Sequence, residues 1–170
     1  MKKTILTLIM ATMIFSGCLE TKVEKIYKKI ENKDLNYIKK ITKNNRIDHI
    51  KGVEIKSPLI FAIETKNYEI AEYLMENNKF IGSVDCSGNN ALLMAAKMNN
   101  LELMKKLVKA KENVNQVNHD KECLISYALE NRNVEMVDFI FTIPDYDFST
   151  LKRLEILPGE KAYDLSLIHI

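Results

Sequence analysis

Gly88-Asn89-Asn90-Ala91-Leu92-Leu93-Met94-Ala95 opens a passage that runs on through Leu101 to Lys109, and the passage recurs along the chain. Shifting the sequence against itself by the step from Ala62 to Ala95 brings Ala128 into the same column, then aligns Glu69, Glu102 and Glu135, and Leu59, Leu92 and Ile125. The same frame aligns Tyr68, Leu101 and Val134, then Ile70, Leu103 and Met136, then Ala71, Met104 and Val137, then Leu74, Leu107 and Ile140. A fixed period of this size, about 33 residues, marks stacked supersecondary units, none of which can bury its apolar face alone. Inside a unit the apolar positions predict two short helices, Ala91 to Met98 and Leu101 to Lys109. Leu101, Met104, Leu107 and Val108 keep the spacing of one helix face, which must point at a neighbour. Asn99-Asn100 divides the helices, as Lys66-Asn67 and Arg132-Asn133 do in the flanking copies, and Asn accepts the left-handed backbone of a tight turn. The alanine column fits a close helix crossing, where a larger side chain would push the stack apart.

These residues resemble the ankyrin repeat, with its Gly-x-Thr-Pro-Leu-His-x-Ala pattern and closing Gly-Ala-Asp-Val-Asn. The second copy runs from Gly88 to Ala95 and closes Lys111-Glu112-Asn113-Val114-Asn115; the others read Ser57-Pro58-Leu59-Ile60-Phe61-Ala62 and Lys121-Glu122-Cys123-Leu124-Ile125-Ser126-Tyr127-Ala128. The resemblance implies an all-α, ankyrin-type helical-hairpin solenoid of about three full repeats over residues 52–148, with degenerate terminal copies. Ile60, Leu93 and Ser126 replace the motif histidine, so its loop-to-loop hydrogen bonds are expected to be absent and local stability to suffer. The hairpin family with a period of about 34 residues is the alternative, but its Trp and Gly signature is missing. Asp34-Leu35-Asn36-Tyr37-Ile38-Lys39-Lys40-Ile41 matches Asn100-Leu101-Glu102-Leu103-Met104-Lys105-Lys106-Leu107, which makes 18–51 a capping copy behind the amino terminus.

The amino terminus predicts export. Lys2-Lys3 precedes an uncharged run from Thr4 to Phe15, which is short of the about 20 residues that span a bilayer. Phe15-Ser16-Gly17-Cys18 resembles the lipobox of bacterial lipoproteins, with Phe15 where that family prefers Leu. The resemblance implies cleavage after residue 17, lipidation of Cys18 and a membrane anchor in the cell envelope. Leu19 follows the cysteine in place of the Asp that retains some lipoproteins in the inner membrane, so an outer membrane is favoured where the cell has one. Cys86 and Cys123 are left as thiols whose pairing the sequence leaves open. Residues Thr21 to Lys51 carry an excess of Lys and Arg, read as a solvated cap face with contact to anionic headgroups as the alternative.

The chain has 170 residues and a formal charge of +2, and removal of Lys2 and Lys3 leaves the remainder neutral. That removes the main argument for nucleic-acid binding, whose electrostatic footprint needs a clustered basic excess. Beyond Pro144-Asp145-Tyr146-Asp147-Phe148 the frame slips, and 149–164 begins another copy that stops inside its first helix. Residues 165–170, Leu-Ser-Leu-Ile-His-Ile, resemble the translation of a transposon-end sequencing adapter, CTG TCT CTT ATA CAC ATC, so the reading frame is expected to continue differently after Asp164, with a genuine short apolar tail as the alternative.

No catalytic residue, cofactor or metal is expected. The five separated glycines form no phosphate-binding loop, and His-Glu-x-x-His and Cys-x-x-Cys are absent. Asp145-Tyr146-Asp147 lacks the glycine and terminal glutamate of a calcium loop, and Cys86 with His119-Asp120 lacks an orienting group and oxyanion donors. The ankyrin resemblance implies a protein partner gripped by turn tips and inner helices. By frame these positions are Glu54 and Lys56; Cys86, Ser87 and Asn89; and His119, Asp120 and Glu122. On the inner helices they are Glu64, Lys97 and Glu130, expected to form a charge ladder across adjacent repeats. Some exported ankyrin-like lipoproteins are thought to neutralise toxins, which makes a toxin one partner class and an envelope complex another.

Overall fold

Short apolar segments ended by polar turns dictate the architecture. The structure is a computed structural model that describes residues 19–43 and 56–149, with side chains from residue 23. Among these residues there are eight α-helices, paired as α1 (Leu19–Glu31) with α2 (Leu35–Lys43), α3 (Pro58–Glu64) with α4 (Tyr68–Glu76), α5 (Ala91–Lys97) with α6 (Leu101–Lys109), and α7 (Leu124–Glu130) with α8 (Val134–Phe141). The inner helices pack in sequence, α1 on α3, α3 on α5 and α5 on α7, while each outer helix packs on its own partner. The degenerate first copy is thus a helical hairpin stacked like the others.

Each inner helix after the first starts on a polar cap. Ser57 Oγ accepts the Ile60 N–H at 3.3 Å with Pro58 at the first helical position, and Asn90 Oδ1 accepts the Leu93 N–H at 2.8 Å. In the third copy Ser126 Oγ instead accepts the Cys123 N–H at 2.8 Å. Side-chain oxygens here satisfy N–H groups that a helix start leaves without partners.

Each inner helix ends in the same closure. Lys33, Lys66, Asn99 and Arg132 take φ of 56°, 59°, 55° and 51°, and the next residue's N–H returns to the carbonyl of Lys29, Ala62, Ala95 or Ala128. This is the double-bonded helix stop that usually employs glycine. The sequence points to asparagine for the left-handed backbone, but only Asn99 has that role. The second residue of each pair starts the outer helix: Asn100 Oδ1 accepts from Leu103 N at 3.0 Å, Asn133 from Met136 N at 2.9 Å, and Asp34 from Tyr37 N at 3.0 Å.

The core is continuous. Ala62, Ala95 and Ala128 are fully buried between consecutive inner helices, as are Leu59, Leu92 and Ile125. On α6 the buried face is Leu103, Met104 and Leu107, whereas Leu101 and Val108 are half-buried. The Tyr68, Leu101 and Val134 column therefore lies at the rim, with Val134 40% exposed, because the first residue of an outer helix sits beyond its neighbour's side chains. Cys86 is exposed, Cys123 is buried at the start of α7, and both are free thiols.

Candidate functional site

Two turn tips built alike form the centre of the candidate surface. Asp85 Oδ1 accepts the N–H groups of Ser87 (2.9 Å) and Asn89 (2.8 Å), and one repeat further on Asn118 Oδ1 accepts those of Asp120 (3.0 Å) and Glu122 (2.8 Å). A short acceptor side chain folds its own backbone back over the following residues. The chain reverses through Gly88 at φ 81° and Lys121 at φ 64°. Gly88 also has a packing role, since a Cβ there would meet the His119 ring at 3.0 Å.

The tips are braced together. His119 N–H donates to the Ser87 carbonyl at 2.9 Å, Gln116 Nε2 to the Gly88 carbonyl at 3.0 Å, and Asn118 Nδ2 to Asn89 Oδ1 at 2.9 Å. The Tyr127 hydroxyl donates to Glu122 Oε2 at 2.6 Å and accepts from Asn118 Nδ2 at 3.2 Å. Burial first, and then the Glu122 carboxylate beside it, push the Tyr127 phenol far above its ordinary value. Other loop-to-loop hydrogen bonds, made by Asn118, Tyr127 and Gln116, stand in place of those the motif histidine would make. Tyr127 lies one residue beyond the histidine position, so it reaches the same loops from the next place along the helix.

This bracing corrects part of the expected surface. Asn89 is buried, 3% exposed, with its side chain spent on Asp85 and Asn118. Glu122 is half-buried against Tyr127 and Asn118. Both positions count among the exposed tip positions only while the loops are regarded separately; once stacked, both bond to Asn118 and Tyr127. Ser87 is half-buried, and Cys86, His119 and Asp120 are exposed at the outer edge.

The inner-helix positions also differ from expectation. Glu64 pairs with Lys56 at 2.6 Å rather than with Lys97, and Lys97 Nζ lies 5.9 Å from the centre of the Tyr127 ring. The ladder is thus replaced by one ion pair within the first repeat and a cation over an aromatic face in the next. Lys97 and Glu130 remain exposed at the ends of α5 and α7. Beside Lys56, the Tyr27 hydroxyl donates to the Lys56 carbonyl, Tyr27 stacks on Phe61 at 4.4 Å, and burial raises the Tyr27 phenol to about 12. Cys18 and Glu54 lie outside the described residues.

Glu112, like Asp85, is a buried carboxylate that the sequence did not single out. Its Oε1 accepts from Gly82 N at 2.9 Å and Asn113 N at 3.1 Å, while buried Oε2 has no hydrogen-bond partner. Burial raises its carboxyl above the ordinary value. The closing Lys111-Glu112-Asn113 in the repeat frame was the available signal, yet it predicts a loop and not the fold of that loop under Gly82.

Among the described residues no group of three or more His, Cys, Asp or Glu side chains is placed to hold a metal ion. Nor is any described helix long and apolar enough to cross a membrane. The family profile for ankyrin repeats (3 copies) matches residues 26–118 and again 59–150. With that match, the stacked hairpins and the paired tips, the chain belongs to the ankyrin-repeat family, whose repeats are protein–protein interaction modules. No similar protein was found among curated sequences.

Proposed function

We propose that the protein is a lipid-anchored, non-catalytic binding module of a bacterial cell envelope that grips one protein partner through its turn tips and inner-helix ends. The observation that carries this reading is the bracing of the tips. The His119 N–H joins the Ser87 carbonyl and the Asn118 side chain joins that of Asn89, while Cys86, His119, Asp120, Lys97 and Glu130 are exposed. A surface ordered before it meets its partner loses less conformational freedom on binding. Phe15-Ser16-Gly17-Cys18 supports the anchor.

Binding is tested by crosslinking the full chain in its host envelope, identifying the captured protein, and remeasuring affinity with His119→Ala, Asp120→Ala and Lys97→Glu. Loss of about tenfold or more with an unchanged helical spectrum supports the surface, since one or two contact side chains commonly carry more than about 1 kcal/mol each. Unchanged affinity in the triple variant rejects it. Partner type separates the two roles open to such a module. Toxin neutralisation requires that excess chain silence the captured toxin, and a scaffold requires a partner that is present constitutively. The anchor is tested apart from either: Cys18→Ala must lose fatty-acid label and wash off membranes, and continued labelling contradicts it.

A further inference from the structure

Between the outer helices α2 and α4 lies an open depression of about 470 Å³ lined by Lys39, Thr42, Lys43, Tyr73, Asn77 and Lys79. No carboxylate is among the described residues that line it. The same groove recurs one repeat along, between α4 and α6, where its volume is about 410 Å³ and the frame places Glu72 for Lys39, Glu76 for Lys43 and Lys106 for Tyr73. There the charges balance: Lys106 Nζ bonds Glu72 at 2.6 Å across the groove. In the first groove that cross-groove pair is replaced by Lys39 Nζ over the Tyr73 ring, 5.6 Å from its centre, a contact that positions an ammonium without neutralising it. Two grooves of one geometry thus differ in charge, and the cationic one belongs to the repeat next to the amino terminus.

We propose that the groove between α2 and α4 binds the phosphate-bearing headgroups of anionic lipids. Lys39 and Lys43 supply the ammonium groups, and Thr42 and Asn77 stand beside them among the lining residues. The lipid as source of the phosphate rests on the proposed anchor at Cys18, one residue before α1 begins, which holds this first repeat nearest the bilayer. The basic segment read as a solvated cap face then has a docking role. Lysines close to an anionic surface strengthen binding by about fivefold each, and a groove with two of them orients the solenoid where a lipid chain alone leaves it free to swivel.

The test uses the full chain carrying Cys18→Ala, so that acylation has no part, with vesicles of phosphatidylcholine alone or mixed with phosphatidylglycerol. Binding is expected to strengthen when phosphatidylglycerol is added, and Lys39→Glu with Lys43→Glu to remove about tenfold or more of that gain. The control Lys109→Glu with Lys111→Glu makes the same charge change further along the array and is expected to leave the gain within about twofold. Equal binding to both vesicles, or equal loss in the control, overturns the proposal. Protection of the groove by inorganic phosphate without any preference for phosphatidylglycerol assigns it to a free anion and overturns the lipid assignment. Lys43→Glu alone, at an exposed position, gives the same reading at about fivefold should the double variant fold poorly. Fatty-acid labelling of Cys18 is unaffected by any of these results, so failure of the groove and failure of the anchor are separable.

Discussion

At the residue scale the chain tolerates left-handed backbone where glycine would be easier. Arg132 holds φ 51° in a turn, with no glycine in its place. A side chain in that region costs about 1–2 kcal/mol, and glycine's greater freedom in the unfolded chain offsets about half of it. Arg132→Gly is therefore expected to raise stability by about 0.5–1 kcal/mol in urea unfolding. Gly88→Ala is the opposite case, because its Cβ would press into His119 as well.

Glu112 sets a pH dependence at the same scale. Its folded pKa lies above the ordinary 4.5 because burial disfavours the carboxylate. The folded state therefore holds the proton more tightly than the unfolded chain. Its contribution to stability is fully present below pH 4.5 and is lost as pH rises through the folded value. Glu112→Gln is expected to flatten that decline, read by comparing unfolding midpoints of both proteins from mildly acidic to neutral pH. Parallel curves would contradict the assignment.

At the element scale the outer helices separate caps that act from one that does not. Asn100 and Asn133 each accept an N–H of their helix, while Asn67 makes no such bond, its Nδ2 donating to Thr65 at 2.9 Å and its buried Oδ1 having no partner. Asn100→Ala is expected to cost about 1 kcal/mol, and Asn67→Ala less, although all three residues share a column. Equal losses in thermal melts would show that column membership, not cap geometry, sets the cost. The column was legible before the fold. Which asparagine caps was not, because it depends on a side-chain rotamer set by the preceding turn.

At the scale of the whole molecule, stability belongs to interfaces between repeats. Ala95 is fully buried where α5 packs against both α3 and α7. Ala95→Leu must separate helices on two sides and is expected to cost about 1–3 kcal/mol or more, lowering the midpoint of unfolding throughout the array. Bridges such as Asn131 Nδ2 to the Ala96 carbonyl at 2.9 Å and Asn133 Nδ2 to Asn99 at 2.7 Å join neighbouring repeats in the same way.

The repeat period, the helix pair within each unit and the alanine column follow from the sequence, because apolar spacing and small residues state directly which faces must be buried. The candidates Cys86, His119, Asp120, Lys97 and Glu130 came from the ankyrin resemblance, mapped by frame, and each of them is exposed. The burial of Asn89, the half-burial of Glu122 and the bonds of Tyr127 and Asn118 were not legible in the sequence. Those depend on the loops of successive repeats meeting, where a polar side chain at a tip faces either solvent or the next tip. The cationic groove is of the same kind: Lys39, Lys43 and Tyr73 each sit on an ordinary polar helix face, and only the stacking of α2 on α4 brings them around one space. Periodicity is a local property that the chain carries wherever it goes, whereas a cluster of charges or a bond between loops exists only once distant segments are packed together.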